Sequence, residues 1–99
     1  MFVHTVYFWL NNPGSDEDRQ ALRAGLETLK GITHFEALYI GKPADTRRPV
    51  IDHSYDWSLT YVFRDKAAHD AYQVDPIHEK FVENCSRYWQ RVQVYDAVD

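Results

Sequence analysis

The chain has 99 residues, enough for one domain with a single core and little area to spare. Eleven Lys and Arg stand against fifteen Asp and Glu, a net charge of −4, which argues against nucleic acid or an anionic membrane as the main partner. A single cysteine, Cys85, excludes an intrachain disulfide, and 44% hydrophobic with 15% aromatic residues excludes a disordered chain.

Residues 2–10 are rich in Val, Thr and aromatics and predict a strand, with His4, Val6, Phe8 and Leu10 on one face and Val3, Thr5, Tyr7 and Trp9 on the other. Because the strand begins so early, no signal peptide is expected. No apolar run reaches membrane-spanning length, so a cytoplasmic location is expected. Asn11-Asn12-Pro13-Gly14 is a turn. Ser15, with Asp18 three residues on, predicts a helix start, and Leu22, Leu26 and Leu29 predict its buried face. Gly31 is a natural stop.

A second strand is predicted over residues 33–40, followed by a long unpatterned loop over 44–54. Residues 55–63 alternate most clearly, Tyr55, Trp57, Leu59, Tyr61 and Phe63 against Asp56, Ser58, Thr60 and Val62. Asp65 predicts a second helix to about residue 73, with Ala67, Ala68, Ala71 and Tyr72 inward. A third helix is predicted from Asp75-Pro76 to about residue 89, with Ile77, Phe81, Cys85 and Tyr88 along one stripe. A fourth strand is predicted over 91–98.

The order β-α-β-β-α-β, the last helix broken in two, predicts an α+β ferredoxin-like fold: a four-stranded antiparallel sheet with right-handed crossovers and helices on one side. Both faces of the first strand are apolar or aromatic. The helix-free face is therefore expected to meet a second copy, giving a homodimer.

The chemistry concentrates in Tyr72-Gln73-Val74-Asp75-Pro76-Ile77-His78. Asp75 is a favoured N-cap and Pro76 suits the first helical position, which makes His78 the third helical residue with its N–H available to the Asp75 carboxylate. The positive helix end disfavours a charged imidazole, so His78 is expected neutral and able to act as a base. Tyr72 can offer a hydroxyl to the same space. The competing reading is that these residues turn a corner and fill it. With no His-x₃-His pair and no cysteine cluster, no metal is expected. Cys85 reads as a packed thiol, and the three tryptophans as core or interface aromatics.

The first strand from Phe2 to Trp9, Phe63-Arg64-Asp65 leading into Ala71-Tyr72, the Asp75-to-Phe81 segment and Tyr95-Asp96 together resemble the stress-responsive A/B barrel (Dabb) family. The resemblance covers almost all of residues 1–99 as one domain. It implies a dimeric α+β barrel, two ferredoxin-like sheets packed face to face. Plant polyketide cyclases of that family close a ring by an aldol reaction without a cofactor. Matching by local motif implies that His4, Tyr72 and His78 stand at their catalytic positions. A third-strand histidine is replaced by Trp57, here read as a platform for a flat substrate, and a histidine before the proline is replaced by Asp75. Two readings stay open: a cofactor-free lyase or cyclase acting on a carbonyl compound in a small-molecule pocket, and a non-catalytic, stress-associated structural or binding dimer.

Overall fold

The computed structural model describes residues 1–99. Its elements in chain order are β1 (Phe2–Leu10), α1 (Asp16–Thr28), β2 (Ala37–Gly41), β3 (Trp57–Phe63), α2 (Lys66–Gln73), α3 (Pro76–Cys85) and β4 (Trp89–Val98). The sheet order is β2-β3-β1-β4 with every neighbouring pair antiparallel, the ferredoxin-like arrangement expected from the element order.

Each helix begins where a side chain replaces the missing backbone partner. Ser15 Oγ accepts from the Asp18 N–H at 3.1 Å, Asp65 from Ala68 at 2.9 Å, and Asp75 from Ile77 at 2.8 Å. At the first of these the capping box is only half made, because the Asp18 carboxylate turns to the Asn12 amide. At the third, the Asp75 carboxylate takes the N–H of Ile77, not that of His78. The glycine at position 25 lets α1 and α3 cross closely, since a Cβ there would collide with the Cys85 sulfur.

The core lies between the helices and one sheet face. Along β1, burial alternates strictly, with Phe2, His4, Val6, Phe8 and Leu10 inside. Trp57, Leu59, Tyr61 and Phe63 of β3 lie on the same side, and Leu22, Leu26, Leu29 and Ile32 close over them. On the opposite face Val3, Thr5, Tyr7 and Trp9 stay half-buried. Part of that cover comes from the long loop: Trp9 Nε1 donates to Ser54 Oγ at 3.1 Å, and Tyr55 meets Tyr7 edge-on at 4.7 Å.

Several boundaries differ from the sequence reading, each for a local reason. β2 starts at Ala37 instead of residue 33, because Phe35 turns its ring onto Tyr61 at 5.3 Å while only the Glu36 N–H joins the sheet. β3 starts at Trp57 instead of residue 55, because Asp56 serves as a junction, accepting from Leu10 N–H and pairing with Arg19 at 2.8 Å each. α3 ends at Cys85 and a 3₁₀ turn follows, so that Trp89 already pairs with Leu10 and packs on Phe8 and Phe81. The inner face of α2 is His69 and Tyr72, and Ala67 is exposed. No helix is long and apolar enough to cross a membrane.

Candidate functional site

The alternation of β1 puts His4 on the helix side, two residues from the strand's start. Antiparallel pairing sets Asp96 of β4 directly opposite it, and a carboxylate oxygen lies 2.5 Å from His4 Nδ1. A carboxylate only accepts, so Nδ1 carries the hydrogen and Nε2 keeps its lone pair. On α2, His69 and Tyr72 are three residues apart and share the buried face. The Asp75-Pro76 corner then starts α3 and brings His78 back against Tyr72.

Tyr72 sits between the two predicted histidines, its ring centroid 5.6 Å from His4 and 4.6 Å from His78. It is only 2% exposed. Its hydroxyl has no hydrogen-bond partner in the chain, yet no fully enclosed polar atom is left unpaired. The oxygen therefore opens onto the neighbouring cavity and not into the core. Tyr61, one strand away, makes the contrast: its buried hydroxyl donates to the Leu29 carbonyl at 2.9 Å.

The cavity beside Tyr72 has a volume of about 150 Å³ and is lined by His4, Tyr72, Gln73 and His78 on the polar side. Val6, Phe8, Leu59, Phe81 and Trp89 form its apolar wall. Val82 of α3 and Val92 and Val94 of β4, each about two-fifths exposed, form its rim. A larger groove of about 690 Å³ runs between α1 and α3, but it holds none of the histidines.

Burial, which disfavours the charged imidazole, lowers the His78 pKa below its ordinary value, against the backbone of Gln73, which raises it; nearby His4 lowers it further. The direction matches the sequence expectation, while the main cause is desolvation and not the helix field. Burial likewise lowers His4, opposed by Asp96. Burial also raises Tyr72 above the ordinary phenol value, so it stays a protonated donor at neutral pH.

Three of the four residues singled out from the sequence thus meet at one cavity. Trp57 does not line it. Its indole is buried under Arg23, 5.1 Å from the ring centroid, and its Nε1 donates to the Arg19 carbonyl at 3.0 Å. A platform for a flat ligand would need an open ring face, and this one is packed against α1. His53 is exposed in the long loop, and His34 lies 3.7 Å from Asp75. Two residues at the site were missed, His69 and Asp96. The i, i+3 spacing of His69 and Tyr72 could have found the first; the second depends on the β1–β4 register.

No curated protein matches the sequence significantly. Solved structures do match its fold. A Dabb family protein with a ferredoxin-like fold from Mesorhizobium loti superposes with a TM-score of 0.80 at 22% identity, covering 99% of this chain and 95% of that one. A dimeric ferredoxin-like protein of unknown function from Thermobifida fusca gives 0.79 at 13% identity, over 99% and 90%. The hydroxynitrile lyase of Passiflora edulis gives 0.77 at 15% identity, over 99% and 92%. At these identities the likeness is one of fold. The sequence profile of the stress responsive A/B barrel domain matches residues 2–99, and the chain belongs to that family, Dabb.

Proposed function

We propose that the protein is a homodimeric A/B barrel whose His4–Tyr72–His78 cavity binds a small carbonyl compound and makes or breaks a carbon–carbon bond beside that carbonyl without a cofactor. The observation that carries this reading is the Tyr72 hydroxyl, a nearly buried donor with no partner in the chain, opening onto a cavity between two histidines. A hydroxyl that opens onto a cavity and spends its hydrogen on no group of the chain is free to donate to a ligand oxygen.

In the bond-forming direction neutral His78 takes a proton from the carbon next to the carbonyl. The electron pair moves onto the carbonyl oxygen, which accepts the Tyr72 O–H; the resulting enolate carbon attacks a second carbonyl carbon, whose π pair moves onto its oxygen and takes the proton back from His78. In the bond-breaking direction His78 takes the proton of a hydroxyl on the carbon to be cleaved. The carbonyl forms there as the C–C electrons leave with the departing carbanion. His4, with Nδ1 held by Asp96, offers Nε2 as an acceptor for a substrate hydroxyl. A cavity of about 150 Å³ is of the size that holds a benzene-like molecule. That favours small aldehydes, ketones and their hydroxy adducts over long polyketide chains. The hydroxynitrile lyase from Passiflora edulis has the same fold, which supports a lyase reading.

The dimer is inferred to form through the helix-free face, where Tyr39 and Tyr95 are 64% and 63% exposed. The Thermobifida fusca relative on this fold is dimeric. The lone buried thiol of Cys85 suits a reducing compartment such as the cytoplasm. The functional test is turnover across a panel of small aldols, hydroxy ketones and cyanohydrins. His78→Ala is expected to lower kcat by about 10²-fold or more with the fold intact, as loss of a general base does. Tyr72→Phe should cost less. Undiminished turnover in His78→Ala would defeat the assignment.

A further inference from the structure

Beside Tyr72 on the buried face of α2 lies His69, which does not line the cavity. This ring stacks on Phe2, with centroids 4.3 Å apart and an interplanar angle of 24°, and its centroid lies 5.0 Å from that of His4. Asp96 reaches His4 from the other side. One donor atom from each of His4, His69 and Asp96 lies within 4.8 Å of the other two. We propose that these three side chains, brought together from β1, α2 and β4, form a binding site for a transition-metal ion of the zinc class.

The donor set selects the class of ion. Two imidazoles and one carboxylate suit zinc, iron, cobalt or nickel, whereas calcium and magnesium ask for oxygen ligands throughout. Three protein ligands leave a further coordination position open. The surroundings of His69 supply what a ligating histidine needs. Its Nδ1 lies 3.1 Å from the Asp70 carboxylate, so Nδ1 carries the hydrogen and Nε2 is the donor atom. Asp70 is then the outer carboxylate that fixes the ring, the usual partner of a metal-bound histidine. The exposed Gln73 amide that meets Nε2 at 3.2 Å swings away on binding.

At His4, the ion replaces the hydrogen between Nδ1 and Asp96, and that proton leaves to solvent. Bonds of about 2.0–2.2 Å in a tetrahedron set donor atoms about 3.3 Å apart, so the 2.5 Å pair must open by under about 1 Å. Asp96 can yield that, since its side chain is 40% exposed and β4 is an edge strand. Metal binding here shares His4 and Asp96 with the carbonyl reading, in which Asp96 holds His4 Nδ1, whereas His69 belongs to the metal site alone and His78, the base of that reading, is not a ligand.

The test is calorimetric titration of the chelator-treated full chain with Zn²⁺, with Co²⁺ absorption spectra as the second readout. The wild type should take up one equivalent and give the intense visible bands of Co²⁺ in a four- or five-coordinate site. Asp96→Asn and His69→Gln should each weaken binding more than about a hundred-fold, beyond what loss of an outer partner does. His78→Gln and His34→Ala/His53→Ala should leave it unchanged. Asp96→Asn keeps the side-chain shape at an exposed position, so it decides the matter even where His69→Gln does not fold. The proposal is overturned if the wild type binds no stoichiometric metal, if Asp96→Asn binds as the wild type does, or if the loss follows His78, His34 or His53.

Discussion

On the helix side of the sheet, β3 and β4 flank the same central strand and meet opposite fates. Trp57, Leu59, Tyr61 and Phe63 of β3 are at most 4% exposed, whereas Val92, Val94 and Val98 of β4 are 38%, 41% and 70% exposed. Both strands alternate apolar residues toward that side, and both are paired to β1. The difference lies above them: α2 packs on β1 and β3, whereas α3 covers β4 closely only at its start, where Phe81 meets Trp89. The polar cluster sits on this boundary. His4 belongs to the covered half, and Asp96 reaches it from the uncovered half. A cavity with an apolar rim follows from incomplete cover, and a buried imidazole there keeps one route to solvent.

The largest predicted effect breaks the covered half. Phe63→Ala should destabilise the fold by about 3–5 kcal/mol in urea unfolding, the cost of removing a fully buried ring and leaving a void. Val98→Ala, on the opposite strand, should fall within about 0.5 kcal/mol. Comparable losses at the two positions would mean that β4 is covered in solution by something on its helix side.

Helix starts give an intermediate effect. Asp75→Ala should cost about 1 kcal/mol by removing the acceptor for the Ile77 N–H, and Asp75→Asn should cost much less. Equal losses would point to the charge, which faces His34 at 3.7 Å, and not to the cap.

How much of this was legible without coordinates depends on the range of the interaction. The alternation of β1 and β3, the Ser15, Asp65 and Asp75 caps and the Leu22–Leu26 stripe are set within a few residues, and each was read from the sequence. The element order then fixed the sheet. Boundaries failed where a distant partner decided them: Trp89 joins β4 because Leu10 faces it, and Asp56 leaves β3 to serve Arg19. At the site, His4, Tyr72 and His78 were named, partly through family resemblance. Asp96 was invisible as a partner because it lies ninety-two positions from His4, and the sequence left Trp57 open between core aromatic and ligand platform because nothing local shows that Arg19 and Arg23 would cover it.

The smallest effect concerns pH. Burial sets the folded pKa of His78 below its unfolded value of about 6.5. Between the two values the unfolded chain binds more protons, so stability falls as pH drops through about 6.5 toward the folded value, and is fully present above it. His4 acts with the same sign. Acidification from neutral pH should therefore destabilise the wild type more than His78→Gln, measured as the change in Tm. A wild type that gained stability over that window would contradict the burial account.

Everything proposed for the cavity rests on the free Tyr72 hydroxyl, and that group can be probed by comparing a small ketone with a hydrocarbon of the same shape. Binding of each would be measured by NMR titration of the wild type and of Tyr72→Phe. The ketone should bind the wild type up to about tenfold more tightly than the variant, the value of one hydrogen bond, while the hydrocarbon binds both alike. Equal ketone affinities in the two proteins, or no shift of the His4 and His78 resonances by either ligand, would show that the cavity is packing and not a site.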